Sequence, residues 1–176
     1  MTRSITFNGV CLTLGGRRLD TDSVAPDFIV HTGDLKEVHL KDFEDKIKLI
    51  TTFPSLDTPV CDLQVKEFNK RAAGLSKDVV VIAVSKDLPF AQKRFCNDFS
   101  IDHVLVFSDY NHSSFGYNYG LQINELNLLA RSVMILDNKN VIRYIQTVDE
   151  LSSQPDSGLT QIAKVSAKSS SGCDWA

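Results

Sequence analysis

The chain has 176 residues, of which 43% are hydrophobic, and a formal net charge of −3. This length suits one domain with its own hydrophobic core, and we predict a single domain over residues 1–165. The net negative charge does not favour a nucleic-acid-binding protein, which would need a clustered basic face. The longest apolar runs fall far short of the roughly 20 residues that cross a bilayer. Residues 1–9 are polar and hold no apolar signal core, so the expected location is cytoplasmic.

The amino-terminal part of the chain is predicted to form short strands. Residues 5–7 and 10–14 are rich in strand-favouring side chains and flank Asn8-Gly9, a dipeptide typical of a β-hairpin turn. Two more short strands are predicted at residues 27–31 and 36–40. The sequence therefore predicts a hairpin placed ahead of the main sheet.

From residue 46 onward, apolar strands alternate with helices. The predicted order is strand 46–53, helix 60–73, strand 79–85, helix 88–99, strand 103–107, short helix 113–119, strands 132–136 and 141–145, and helix 154–165. This order predicts an α/β fold with a central mixed sheet flanked by helices. Residues 166–176 are rich in Ser, Ala and Lys, a composition typical of a disordered tail or an appended segment.

The cysteines are too sparse for the disulfide framework of a small secreted protein. The chain contains Cys11, Cys61, Cys96 and Cys173. In a reducing compartment such residues are buried apolar groups, metal ligands or reactive thiols. There is no Cys-x-x-Cys pair, and His31, His39, His103 and His112 show no zinc-ligand spacing, so no metal site is predicted. The glycines form no phosphate-binding pattern, so no flavin or nucleotide cofactor is expected.

Cys61 stands at the start of the first long predicted helix. Thr58 is a suitable N-cap, and Pro59 suits the first helical position, which makes Cys61 the third residue of the helix. The free amides and the helix dipole favour a negative charge there, so the setting favours a thiolate. Helical spacing also places the cysteine on the inward apolar face. The alternative interpretation, that Cys61 is a small hydrophobic residue of the core, stays open on these residues alone.

Three separated motifs carry a family resemblance. The pattern Pro54-x-x-x-Thr58-x-x-Cys61 resembles the active-site motif of the peroxiredoxin family, and its setting resembles the bacterial thiol peroxidase (Tpx) branch, of the atypical two-cysteine type. The segment 87–96, which ends in Cys96, resembles the resolving-cysteine helix of that branch. Residues 129–133 resemble the strand that carries its active-site arginine, Arg131. The resemblance extends from about residue 3 to residue 155.

The resemblance implies a thioredoxin-like fold and assigns roles to the matched residues. Cys61 would attack the peroxide and become a sulfenic acid, and Cys96 would close an intramolecular disulfide with it. Arg131 would stabilise the thiolate and the developing charge. Thr58 would hydrogen-bond the sulfur or the peroxide oxygens, and Pro54 would shield the pocket. The family further implies hydroperoxide substrates, reduction by thioredoxin and a homodimer.

Two other classes of function are compatible with parts of this pattern. A thiol–disulfide exchange protein normally uses Cys-x-x-Cys, which is absent here. A redox sensor or partner-binding module would use the same activated thiol without significant turnover, and the sequence does not exclude it. Cys11 and Cys173 match no role, and residues 157–176 do not resemble the closing helix of the family.

Overall fold

The structure, a computed structural model, describes residues 3–155 together with 161, 162, 164 and 165. Its strands are β1 (Arg3–Phe7), β2 (Val10–Gly15), β3 (Ile29–His31), β4 (Glu37–His39), β5 (Ile47–Thr52), β6 (Val79–Ser85), β7 (Leu105–Ser108), β8 (Gln122–Ile123), β9 (Leu128–Leu129), β10 (Ser132–Leu136) and β11 (Ile142–Thr147). Its helices are α1 (Pro59–Ala72), α2 (Pro89–Phe99) and α3 (Ser114–Asn118), with a 3₁₀ turn at Leu40–Phe43. Each element predicted before residue 150 is confirmed to within two residues at either end.

The main sheet has seven strands in the order β11-β10-β5-β6-β7-β3-β4. The three central strands β5, β6 and β7 are parallel, and β10 joins β5 in the antiparallel sense. Every residue of β5 and β10 is buried, because helices or loops cover both faces of the sheet. The predicted mixed sheet is therefore confirmed.

The amino-terminal hairpin belongs to a second, smaller sheet in the order β1-β2-β8-β9. Its turn requires the left-handed backbone of Asn8 and Gly9, whose φ angles are 50° and 79°. The hairpin prediction is confirmed, but β8 and β9 were not predicted. These strands have only two residues each, too few for an alternating pattern to be visible in the sequence.

The two faces of the main sheet bury separate apolar clusters. Alternate residues of β5 point to opposite faces, so that Leu49 lies in the cluster beneath α1 and α2, and Ile50 in the cluster beneath α3 and the hairpin. Cys61 lies in the first cluster, and Cys96 packs against it. One face of the sheet thus holds the two cysteines that the sequence singled out.

The carboxyl-terminal predictions fall largely outside the described residues. Residues 161, 162, 164 and 165 of the predicted helix 154–165 are helical, but residues 154 and 155 are not, so the predicted start was wrong. The predicted tail, residues 166–176, lies outside the described part of the chain. Across the residues that are described, no helix is both long and apolar enough to cross a membrane.

Candidate active site

The first turn of α1 fixes the position of Cys61. Thr58 has extended backbone angles and caps the helix, and its hydroxyl oxygen accepts a hydrogen bond from the Cys61 amide at 3.4 Å. Pro59 is the first helical residue, so Cys61 is the third, as predicted. Cys61 has no exposed surface. The thiol therefore lies where the first-turn amides and the helix dipole favour negative charge.

The Arg131 guanidinium is held against the Cys61 sulfur. Arg131 directly precedes β10, and only 2% of its surface is exposed. Its Nη2 donates to the Cys61 Sγ at 3.2 Å, its Nη1 to the Gln64 Oε1 at 2.5 Å, and its Nε to the Leu151 carbonyl at 3.3 Å. Two partners on α1 and one on the segment after β11 thus fix the plane of the guanidinium, with Nη2 directed at the sulfur.

The surroundings of Arg131 leave its charge without a carboxylate partner. A guanidinium stays charged at any pH that the folded protein meets, and a buried charge needs a counter-charge or strong hydrogen bonds. Within the described residues no carboxylate lies at ion-pair distance from Arg131, and its other two acceptors are a neutral amide and a carbonyl. An ionised Cys61 sulfur is the one contacting group that can balance the charge.

Gln64 is a site residue that the sequence reasoning missed. It lies one helical turn after Cys61 and is 5% exposed. Its Oε1 accepts from Arg131, while its Nε2 donates to the Thr51 Oγ1 at 2.6 Å. Gln64 therefore links strand β5 to the guanidinium. The available signal was a polar residue on the inward, otherwise apolar face of the predicted helix.

The loop that leads to Cys61 is anchored by Asp87, which follows β6. The Asp87 carboxylate accepts from the Ser55 hydroxyl at 2.6 Å and from the Leu56 amide at 2.8 Å. The Ser85 hydroxyl also donates a hydrogen bond to the Asp87 carboxylate, at 2.6 Å. Asp87 lay at the start of a motif noted in the sequence but received no role there. The geometry makes it the anchor that sets where the loop enters α1.

The other two predicted residues of this loop are Pro54 and Thr58. Pro54 is buried in the loop between β5 and α1. Thr58 caps the helix through its hydroxyl oxygen, but it donates its hydroxyl hydrogen to the Ser55 carbonyl at 3.2 Å. The expected donation from Thr58 to the sulfur is therefore replaced in this conformation by a bond within the loop.

Cys96 lies in the last turn of α2, in a different environment. It is half-buried beside Phe95, and burial raises the pKa of its thiol. Cys61 and Cys96 are both free thiols in this structure. Cys11 is exposed on β2, away from this cluster, and Cys173 lies outside the described residues. The structure thus brings Cys61, Arg131 and Thr58 together, buries Pro54 in the loop that leads to α1, and places Cys96 on the adjoining helix.

A small cavity separates the loop before α1 from helix α2. Its volume is about 200 Å³. It is lined by Leu56, Asp57, Asp87, Ala91, Arg94, Phe95, Asp98 and Phe99. Cys61 does not line it. The cavity therefore lies between the loop and α2, and Cys61 is buried outside it.

Sequence comparisons identify relatives of the whole domain. The family model described as Redoxin matches residues 20–162. A thiol peroxidase from Streptococcus pneumoniae strain R6 is 44% identical over 152 residues, which cover 86% of this chain and 93% of the relative. A thiol peroxidase from Staphylococcus saprophyticus is 45% identical over 152 residues, covering 86% of this chain and 92% of the relative. These matches extend over the segments that hold Cys61, Cys96 and Arg131.

Solved structures agree with this relationship. A peroxiredoxin-like protein from Aquifex aeolicus superposes with a TM-score of 0.85 at 39% identity, covering 94% of this chain and 96% of that one. A thiol peroxidase from Chromobacterium violaceum superposes with a TM-score of 0.83 at 16% identity, covering 96% and 98%, and so shares the fold. The expected thioredoxin-like fold is confirmed. The chain therefore belongs to the redoxin family, among the thiol peroxidases of the peroxiredoxin type.

Proposed function

We propose that the protein reduces hydrogen peroxide and organic hydroperoxides through a Cys61 sulfenic acid and an intramolecular Cys61–Cys96 disulfide. The observation that carries this proposal is the contact between the Arg131 guanidinium and the Cys61 sulfur at 3.2 Å. A buried charge without a carboxylate partner stabilises an ionised sulfur beside it. The thiolate is the nucleophilic form of cysteine, so this pair supplies the reactive group.

In the first step the Cys61 thiolate attacks the terminal oxygen of the hydroperoxide. A sulfur–oxygen bond forms and the oxygen–oxygen bond breaks, which oxidises the sulfur and reduces the peroxide. The leaving alkoxide or hydroxide takes up a proton and departs as alcohol or water. Negative charge moves from sulfur toward the oxygens during this step. Arg131 is already positioned to stabilise that charge, because Gln64 and the Leu151 carbonyl hold it in place.

In the second step the Cys96 thiolate attacks the sulfenic sulfur of Cys61. A disulfide forms and hydroxide leaves, which a proton converts to water. Cys61 is completely buried against Arg131, so its sulfur has to leave that contact to meet Cys96. We propose that the first turn of α1 and the Cys96 segment of α2 unwind locally during this step.

The remaining partners follow from family membership. A thiol peroxidase needs a thiol reductant to reopen its disulfide, and we propose thioredoxin for this role. We also propose a homodimer of single-domain chains, with residues 1–165 as the domain, working in the cytoplasm. No metal or organic cofactor takes part in the proposed cycle, since both redox steps use sulfur.

The direct test is NADPH consumption in the presence of thioredoxin, thioredoxin reductase and cumene hydroperoxide. We expect turnover by the wild-type protein, none by Cys61→Ser, and lost or sharply reduced turnover by Cys96→Ser. Cys11→Ser is the matched control, since Cys11 is exposed on β2, and it should turn over like wild type.

Two results would contradict the proposal. Undiminished turnover in Cys61→Ser would overturn the mechanism. No turnover by the wild type would point to a sensor function or, if glutaredoxin or dithiothreitol restores turnover, to a different reductant.

A further inference from the structure

A second cluster of reactive side chains lies at the edge of the main sheet. His31 on β3 and Glu37 on β4 are directly paired across the two strands, and His112 lies in the loop between β7 and α3. The Glu37 Oε1 is 4.0 Å from the His31 Nε2 and 3.7 Å from the His112 Nε2. One nitrogen or oxygen atom from each of the three side chains lies within 4.8 Å of the others.

His31 is the unusual member of this cluster. Only 4% of its surface is exposed, and within the described residues its buried Nδ1 has no hydrogen-bond partner. Its Nε2 faces Glu37 at 4.0 Å, beyond hydrogen-bond distance. The aromatic rings of Tyr110 and His112 pack against the imidazole. The Nε2 is therefore the nitrogen of this buried ring that faces Glu37 and can serve as a ligand atom.

We propose that His31, Glu37 and His112 bind a divalent transition-metal cation, with Zn²⁺ as the reference ion. Two imidazoles and one carboxylate form a ligand set that zinc uses in proteins, with a fourth position open to water. The nitrogen donors also suit other first-row cations, whereas Mg²⁺ and Ca²⁺ prefer oxygen donors. The ligand set therefore selects the zinc-like class.

The geometry needs only a small contraction to hold the ion. Ligand atoms bound to zinc at about 2.0–2.2 Å lie roughly 3.3 Å apart in a tetrahedron. The Glu37 and His112 side chains are 56% and 43% exposed, so they can turn inward while His31 stays fixed in the core. Asn111 contacts the His112 Nε2 at 3.4 Å, a long contact that metal binding would displace.

The proposed site is separate from the peroxidase chemistry. Glu37 and the two histidines come from β3, β4 and the loop after β7, and none of them contacts Cys61 or Arg131 through the bonds described above. A bound cation would tie the β3–β4 hairpin to that loop. Because it would bind only the folded chain, it would raise the melting temperature.

The test is titration of the full-length, untagged, reduced protein with ZnCl₂ by calorimetry, followed by CoCl₂ titration monitored by absorbance. We expect one equivalent of metal and a zinc-dependent rise in melting temperature. The cobalt spectrum should show ligand-field bands without the charge-transfer band that a cysteine ligand adds. Glu37→Gln and His112→Gln should each weaken zinc binding by at least about tenfold, since even indirect partners of metal ligands contribute that much.

His103→Gln is the matched control, because His103 is similarly exposed and lies beside Asp102, away from the cluster. It should bind zinc like the wild type. His31→Gln should also lose binding, but His31 is buried, so the two exposed variants decide the outcome if His31→Gln fails to fold. The proposal is overturned if the wild type binds no metal, if Glu37→Gln and His112→Gln bind as tightly as His103→Gln, or if cobalt shows sulfur ligation.

Discussion

Cys61 and Cys96 lie on neighbouring helices over the same apolar cluster, yet their surroundings differ in every respect that matters to a thiol. Cys61 is at a helix start, fully buried, and in contact with a guanidinium. Cys96 is in the last turn of its helix and half-buried, and burial raises the pKa of its thiol. The comparison separates two influences on a buried thiol. A fixed positive charge and free amides favour an ionised sulfur, and apolar neighbours alone oppose it.

The largest expected effect comes from removing the charge beside Cys61. We predict that Arg131→Gln lowers the rate constant of Cys61 with hydrogen peroxide by at least about 100-fold, because a buried charge-stabilising donor contributes on that scale. Stopped-flow fluorescence or competition kinetics measures this rate. Arg71→Gln is the control. Arg71 is an exposed arginine on α1, the helix that carries Cys61, and it pairs with Glu67. Equal rates in the two variants would contradict the role given to Arg131.

The second prediction concerns the pH dependence of Cys96. A raised pKa means that the folded protein holds Cys96 as a neutral thiol at neutral pH. In Cys61→Ser, its alkylation by iodoacetamide should therefore rise roughly tenfold per pH unit, and level off at a higher pH than for an unstructured cysteine peptide. Peptide mass spectrometry resolves Cys96 from the other cysteines. If alkylation of Cys96 levels off at the same pH as the peptide or at a lower one, burial does not raise the pKa of this thiol.

The sequence predicted the elements and the position of Cys61 for clear physical reasons. The strand β6 is predicted by its continuous apolar run, and the start of helix α1 is predicted by the Thr-Pro pair before Cys61. The contact between Arg131 and Cys61 could not be predicted in this way, because nothing in the residues around Arg131 distinguishes it from a surface arginine. Its role was assigned only through the family resemblance, and the fold brings it to the sulfur although it lies 70 positions further along the chain.

The third prediction tests whether Gln64 positions the guanidinium. Gln64→Met removes the acceptor for Arg131 and the link to Thr51, and should slow the reaction of Cys61 with peroxide by about tenfold, the scale of one hydrogen bond to a charged group. The pH profile of that reaction should shift as well, because Arg131 is no longer held at the sulfur.

Gln92→Met is the matched control for this prediction. Gln92 is another buried glutamine, on α2, where it donates to Ser85 and to the Phe107 carbonyl. It should lose stability without slowing the Cys61 reaction. If both variants slow the reaction equally, Gln64 has only a general structural effect.

The smallest expected effect concerns the contact between the two cysteine-bearing helices. The Lys66 ammonium on α1 lies 3.4 Å from the ring centroid of Phe99 on α2. Lys66→Gln should lower the free energy of unfolding of the reduced protein by about 0.5–1 kcal/mol, the usual range for an exposed cation–π contact. In the oxidised protein the same substitution should lower the free energy of unfolding by less, because local unwinding of both helices would already have broken this contact. Urea denaturation of each form, with Lys70→Gln as the control, measures the difference, and equal losses in both forms would argue against unwinding.

The parts that the sequence could not predict share one property. Gln64, Asp87 and the cluster of His31, Glu37 and His112 depend on residues that meet only through strand pairing or helix packing. The histidines show no local ligand spacing, because the pairing of β3 with β4 and the loop after β7 bring them together. Short strands such as β8 were missed because two residues cannot show a period.

The central claim is that Cys61 alone reacts with peroxide and that Cys96 then forms a disulfide with the oxidised Cys61. The most direct measurement treats reduced Cys96→Ser with one equivalent of hydrogen peroxide in the presence of dimedone, and locates the label by tandem mass spectrometry. We predict a label on Cys61, and in the wild type an intrachain Cys61–Cys96 disulfide in place of the label. A label on another cysteine, or a wild-type disulfide that joins two chains, would contradict the account.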